Sequence, residues 1–210
     1  MKILREFILG KVLTNCYLIE HNGKIILIDA PPGIEVVADY LDENNLALNK
    51  IFLTHTHYDH IIGLKYLVEN NYIDSKNIYC PDEEIFALKN PTRKGNLSDI
   101  GIQESFILDY EVTPLSKLKE KGMEFRFLKG HSLQSAVYIF NNDKAIFCGD
   151  TLFDEEKQKL YFVMVPNVAK EEFTKTIKDK ILTLPEDYII YPGHLSIKTI
   201  GQRKQEERFR

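Results

Sequence analysis

The pattern of apolar and polar positions divides the chain into two strand-rich stretches, each carrying helices. Apolar runs over residues 2–9, 15–20 and 25–28 predict three strands. His21-Asn22-Gly23-Lys24 supplies hairpin-turn chemistry between the second and third. The third strand stops at Asp29, where Pro31-Pro32-Gly33 breaks regular structure. Ile34, Val37, Ala38 and Leu41 recur at helical spacing and predict a helix over 34–44. A short buried strand over 50–54 and a helix over 61–70 follow. Pro81-Asp82-Glu83-Glu84 reads as a helix start, since carboxylates favour the first turn, and 91–101 as a surface loop or short helices. In the second half, strands are predicted over 123–128, 136–141 and 144–148, the last two joined by an Asn-Asn-Asp turn. A helix over 170–184, a strand over 188–191 and a tail helix complete the chain. No linker, repeat or low-complexity segment marks a boundary, so one domain over 1–210 is expected. Two strand-rich halves with helices predict an α+β fold of two mixed β-sheets packed face to face, helices outside.

Composition narrows the class. With 44% hydrophobic and 28% charged residues the chain can build a core, and no apolar run approaches the ~20 residues that span a bilayer. The N-terminal segment lacks the apolar stretch and cleavage site of a signal peptide, so a soluble, cytoplasmic protein is expected, without membrane partners. A formal net charge of −4 with no basic stripe argues against a nucleic-acid partner. The mixed-sign run from Gln202 to the C-terminus reads as a solvated helix end. Cys16, Cys80 and Cys148 are widely spaced and odd in number, which suggests buried thiols, not disulfides.

The chemistry concentrates where apolar strands end. His55-Thr56-His57-Tyr58-Asp59-His60 follows Ile51-Phe52-Leu53-Thr54; His131, Asp150 and His194 each follow a glycine at the end of a strand. Loops leaving strand ends can carry ligands to a shared rim. A glycine before a ligand lets the backbone turn sharply or approach closely. Imidazole and carboxylate together suit zinc, with iron and manganese also compatible. Seven candidates are too many for one tetrahedral ion, whereas two ions sharing a carboxylate accommodate them. His21, beside a turn, reads as a surface residue.

These stretches resemble the metallo-β-lactamase superfamily. Thr54-His55-Thr56-His57-Tyr58-Asp59-His60, Gly130-His131-Ser132, Cys148-Gly149-Asp150-Thr151-Leu152-Phe153 and Pro192-Gly193-His194 occur in the family's order. The Gly-Asp-Thr-Leu-Phe stretch, with Thr199-Ile200-Gly201, most resembles the glyoxalase II-like branch. The resemblance implies a four-layer αβ/βα sandwich holding two divalent metal ions, zinc first. It implies that His55, His57 and His131 hold one ion, Asp59, His60 and His194 the other, and that Asp150 bridges. It also implies that Asp29 supports the site from behind the ligands.

A water shared by two ions becomes hydroxide near neutral pH and can attack a carbonyl, with Asp59 both ligating and orienting it. The glyoxalase II-like resemblance implies a small-molecule thioester or ester of the hydroxyacylglutathione type as substrate, with lactones the nearest alternative. β-Lactams, nucleic acids, a one-iron oxygenase and a non-catalytic metal module rank behind them. Departures lie around the site: Ser132-Leu133-Gln134-Ser135 after His131, a charged stretch over 154–159, and 161–166, read as a core strand in preference to a substrate wall. The residues after His194 are too few for the helical region with which full-length glyoxalase II enzymes bind glutathione.

Overall fold

The computed structural model describes residues 1–89, 108–152 and 164–206. The predicted loop over 91–101, the charged stretch over 154–159 and the last tail residues lie outside the described residues. The chain divides into two compact units, Met1–Lys119 and Glu120–Arg210.

Among the described residues of the first unit, six strands run in spatial order β1 (Lys2–Leu9), β2 (Thr14–His21), β3 (Lys24–Ile28), β4 (Leu48–Phe52), β5 (Ile78–Cys80) and β6 (Thr113–Pro114). The first three pair antiparallel and β3 through β6 pair parallel, so the sheet is mixed as expected. Asn22 and Gly23, with φ of 52° and 70°, close the β2–β3 hairpin in the left-handed conformation such turns demand. The helices are α1 (Glu35–Glu43), α2 (Tyr58–Ile61), α3 (Gly63–Glu69) and α4 (Ile85–Lys89). Cys16, Leu18, Leu27, Ile51 and Ile78 share a core with Val37, Ala38 and Leu41 of α1 and Leu64 and Leu67 of α3. The alternate strand positions, Tyr17, Ile19, Ile26, Ile28 and Phe52, are buried too. Strands buried on both faces read as continuous apolar runs, which is why they were visible as such.

Three features depart from expectation here. The helix predicted over 61–70 begins three residues earlier and breaks at Ile62 into α2 and α3. A Cβ on Gly63 would stand 2.6 Å from both the Ile34 side chain and the Pro31 carbonyl, so only glycine allows this approach. The Gly63 amide donates to Ala30 O at 2.8 Å, fixing where α2 ends. Strands β5 and β6 escaped prediction because two or three residues show no periodicity. His21 is buried, not on the surface, as the last residue of a strand whose other positions are almost all covered.

The second unit has the order β11 (Lys198–Thr199), β10 (Ile189–Pro192), β9 (Ala145–Gly149), β8 (Ser135–Phe140) and β7 (Glu124–Leu128). Among the described residues of this unit only β9 and β10 pair parallel, making a second mixed sheet. Leu128, Val137, Ile139, Ile146 and Cys148 form its core with Phe173 and Ile177 of α5 (Lys170–Lys180) and with Ile181. Helix α5 stops short of the predicted end: the amides of Ile181 and Leu182 both close on Ile177 O, ahead of Pro185, which cannot continue a helix. A capping box of Thr199 and Gln202 starts α6 (Ile200–Lys204).

The tail is not a simple solvated end. Arg203 is fully buried, and its guanidinium donates to Glu206 at 2.8 Å and to Ser196 O at 3.3 Å. That pairing is what makes a buried arginine tolerable. Of the stretch predicted as a core strand, Met164, Val165 and Pro166 are described and form no strand; the first two donate their amides to Gly130 O at 3.0 Å. Among the described residues no helix is long and apolar enough to cross a membrane.

Candidate metal centre

In the first unit β4 ends at Phe52, Leu53 extends it by donating its amide to Tyr79 O, and the chain then turns through Thr54 into the histidine run. His55 is fully buried and His57 half-buried; α2 starts immediately after and carries Asp59 and His60 in its single turn. The candidate ligand atoms fall into two pairs on this one loop. His55 Nε2 lies 3.0 Å from His57 Nδ1, and His60 Nε2 lies 3.4 Å from Asp59 Oδ2.

A chain of buried hydrogen bonds sets which imidazole nitrogens face outward. Asp29 Oδ1 accepts the Thr54 amide at 2.7 Å, and its Oδ2 accepts the Thr54 hydroxyl at 2.7 Å and His60 Nδ1–H at 2.8 Å. The Thr54 hydroxyl, having donated to Asp29, accepts from His55 Nδ1–H at 3.0 Å. With each Nδ1 committed as a donor, the Nε2 of His55 and of His60 presents a lone pair. Asp29 itself holds a left-handed backbone, φ 61°, unusual for a non-glycine residue and maintained by these bonds.

The second unit carries the remaining three candidates at the ends of β7, β9 and β10. Asp150 Oδ2 lies 3.4 Å from His131 Nε2 and 3.5 Å from His194 Nε2, so one carboxylate oxygen stands beside both imidazoles. The Gly193 amide donates to Gly149 O at 2.9 Å and ties the Asp150 and His194 loops together. Before His131, the Phe173 ring comes within 2.3 Å of where a Cβ on Gly130 would sit, so the loop can press onto α5 only through a glycine. Burial pushes the Cys148 thiol up to about 12, and it is a packed hydrophobe donating weakly to Leu152 O, not a ligand. Cys16 and Cys80 are likewise free, buried and shifted upward by burial first, then by nearby carboxylates.

These spacings fit a divalent cation. Two ligands at 2.0–2.1 Å from one ion stand about 2.8–3.0 Å apart at a right angle and about 3.3–3.4 Å apart at the tetrahedral angle. The four pairs above measure 3.0 to 3.5 Å. Within the first unit His55 stands beside His57 and Asp59 beside His60, and within the second His131 and His194 both stand beside Asp150. Sequence reasoning missed three supporting groups: Thr54, Thr14, whose hydroxyl donates to Asp59 Oδ2 at 2.9 Å, and Glu84, which accepts the Thr56 hydroxyl at 2.5 Å. Thr14 and Glu84 are of unremarkable type with partners 45 and 28 residues away, so no local signal marks them; Thr54 adjoins the histidine run, but its bond to Asp29 spans 25 residues.

Residues 9–194 match the family model described as the metallo-beta-lactamase superfamily. The chain belongs to that superfamily, and the fold is its α+β fold. Within it the chain is a metallo-hydrolase with glyoxalase II-like relatives at about 30% identity. A probable metallo-hydrolase of Streptococcus pyogenes serotype M6 is 30% identical over 203 residues, 93% of this chain and 84% of that protein. The hydroxyacylglutathione hydrolase GloC of Haemophilus influenzae is 29% identical over 200 residues, 93% of this chain and 92% of its own length. Against the hydroxyacylglutathione hydrolase of Prochlorococcus marinus, 31% identical, the chain spans only 62% of the relative's length. Among solved structures, TTHA1623 in a di-iron-bound form superposes with a TM-score of 0.80 at 24% identity, covering 96% of this chain and 98% of that one. The BLEG-1 B3 metallo-beta-lactamase gives 0.72 at 25% identity, covering 98% of each.

Proposed function

We propose that the chain is a binuclear hydrolase of a small thioester or ester, with His55, His57 and His131 on one divalent ion, Asp59, His60 and His194 on the other, and Asp150 between them. The observation that carries this reading is the set of ligand-atom pairs at 3.0 to 3.5 Å, with imidazole tautomers set to present Nε2. Zinc is the first choice for this donor set, with iron and manganese compatible. Such ions, when bound, lower the pKa of a coordinated water toward about 7 and polarise a carbonyl oxygen. The chain's own part is to hold the ligands rigidly: Asp29 and Thr54 orient His55 and His60, and Gly130 and Gly149 shape the loops that carry His131 and Asp150. Asp59 has two tasks, ligation and orientation of the attacking water. We take residues 1–210 as one domain, since the family match runs through both units, and the enzyme as cytoplasmic.

The thioester reading is supported by GloC, a hydroxyacylglutathione hydrolase matched over nearly its full length. Metal analysis of protein purified without added metal should find close to two equivalents. A panel of S-lactoylglutathione, acyl-CoA, acyl lactones and a β-lactam should show thioester turnover above the rest. Turnover of lactones alone would replace the thioester assignment with a lactonase. A His60→Ala variant that keeps both equivalents would contradict the ligand set.

A further inference from the structure

We infer that Thr14 and Glu84 are positioning residues that act separately on the two ions, Thr14 through Asp59 and Glu84 through the His55–His57 pair. The inference rests on the metal-pair reading above. Thr14 opens β2, is fully buried, and donates its hydroxyl to Asp59 Oδ2, the same oxygen that lies 3.4 Å from His60 Nε2. That bond holds the carboxylate in the rotamer that presents Oδ2 beside the imidazole. Turning Oδ2 away would break this bond inside the protein, so the rotamer is stiff.

Glu84 addresses the other pair. It is 1% exposed, directly precedes α4, and accepts the Thr56 hydroxyl at 2.5 Å, a short charge-assisted bond. Thr56 is the residue between the two imidazoles, so fixing it fixes the backbone from which both project. The two bonds reach the loop from points 45 and 28 residues away in the chain. They engage different residues of the loop, one per ligand pair, which is why their effects should be separable.

Single-site proteins test this. His57→Ala leaves the Asp59–His60 site and His60→Ala leaves the His55–His57 site. Zn2+ affinity is then measured by competition with a chromophoric chelator. Thr14→Val, which removes the hydroxyl and keeps the shape, should weaken Zn2+ by about 10–100-fold in the His57→Ala background and by less than about threefold in the His60→Ala background. Thr14→Ser should restore the lost affinity. Glu84→Ala should show the reverse selectivity, and Glu84→Gln, whose Oε1 still accepts, should restore it. If Glu84→Ala fails to fold, Thr56→Val interrupts the same bond from its other end. Equal losses at both sites would reduce these residues to general loop stability and overturn the inference, as would no loss at either. A wild-type protein that takes up fewer than two ions would overturn the metal-pair reading, and this inference with it. That failure is distinct because it appears before any variant is made.

Discussion

Replacing Asp29 by Asn probes the bond network that sets the imidazole tautomers. The substitution keeps the shape and leaves Oδ1 to accept the Thr54 amide. At Oδ2 it puts an NH2 group where two donors now converge, the Thr54 hydroxyl and His60 Nδ1–H. The hydroxyl can rotate and accept instead. The imidazole can accept only by moving its proton to Nε2, which removes the lone pair meant for the metal. In metal-free protein the imidazole can make that switch, so two bonds to a buried carboxylate are exchanged for two weaker bonds to a neutral amide, at about 1.5–3 kcal/mol together. For a chain of this length that lowers the melting temperature of metal-free protein by about 3–12 °C. Loss of the supporting carboxylate should also weaken the ion at Asp59 and His60 by about 10–100-fold, or about 1.4–2.7 kcal/mol. Thermal denaturation without metal and a Zn2+ competition titration read the two effects independently. A variant that melts within about 1 °C of wild type and binds both ions within twofold would refute the tautomer argument.

Gly130→Ala should lower stability by about 1–3 kcal/mol, because its Cβ would press into the buried Phe173 ring; Phe173→Leu in the same protein should recover part of the loss in a denaturant titration. An unchanged midpoint for the single variant would show that the His131 loop relaxes freely. Cys148 gives a pH dependence with a definite sign. Its thiol rises from the ordinary value of 9.0 to about 12 in the folded protein, so the unfolded chain loses that proton first and stability falls as pH climbs above 9. Cys148→Ala should flatten the decline by up to about 1.4 kcal/mol per pH unit; an identical slope would place the thiol in contact with water.

Much of the fold was legible because its signals are local. Strands β1, β2, β3, β8 and β9 announce themselves as apolar runs bounded by turn residues, and α1 by its helical spacing. The seven ligand candidates were legible for a related reason: histidine and aspartate at close spacing directly after apolar strands are rare by chance and chemically demanding. Less legible were elements whose existence depends on neighbours. β5, β6 and β11 are short segments that are strands only because a partner strand supplies hydrogen bonds. Arg203 looked solvated because charge in a sequence carries no sign of Glu206 and Ser196 O waiting to receive it.

The residue types by themselves thus determined that imidazoles and carboxylates would sit at strand ends, and so the class of chemistry. Which atoms do the work was decided only in three dimensions. Asp29 meets His60 across 31 residues, Thr14 meets Asp59 across 45 and Glu84 meets Thr56 across 28. A buried hydrogen bond depends on distance and on exclusion of water, and neither is written in sequence spacing. The tautomer that frees Nε2, and the rotamer that presents Asp59 Oδ2, exist because folding brings these polar groups together where no solvent can substitute for them.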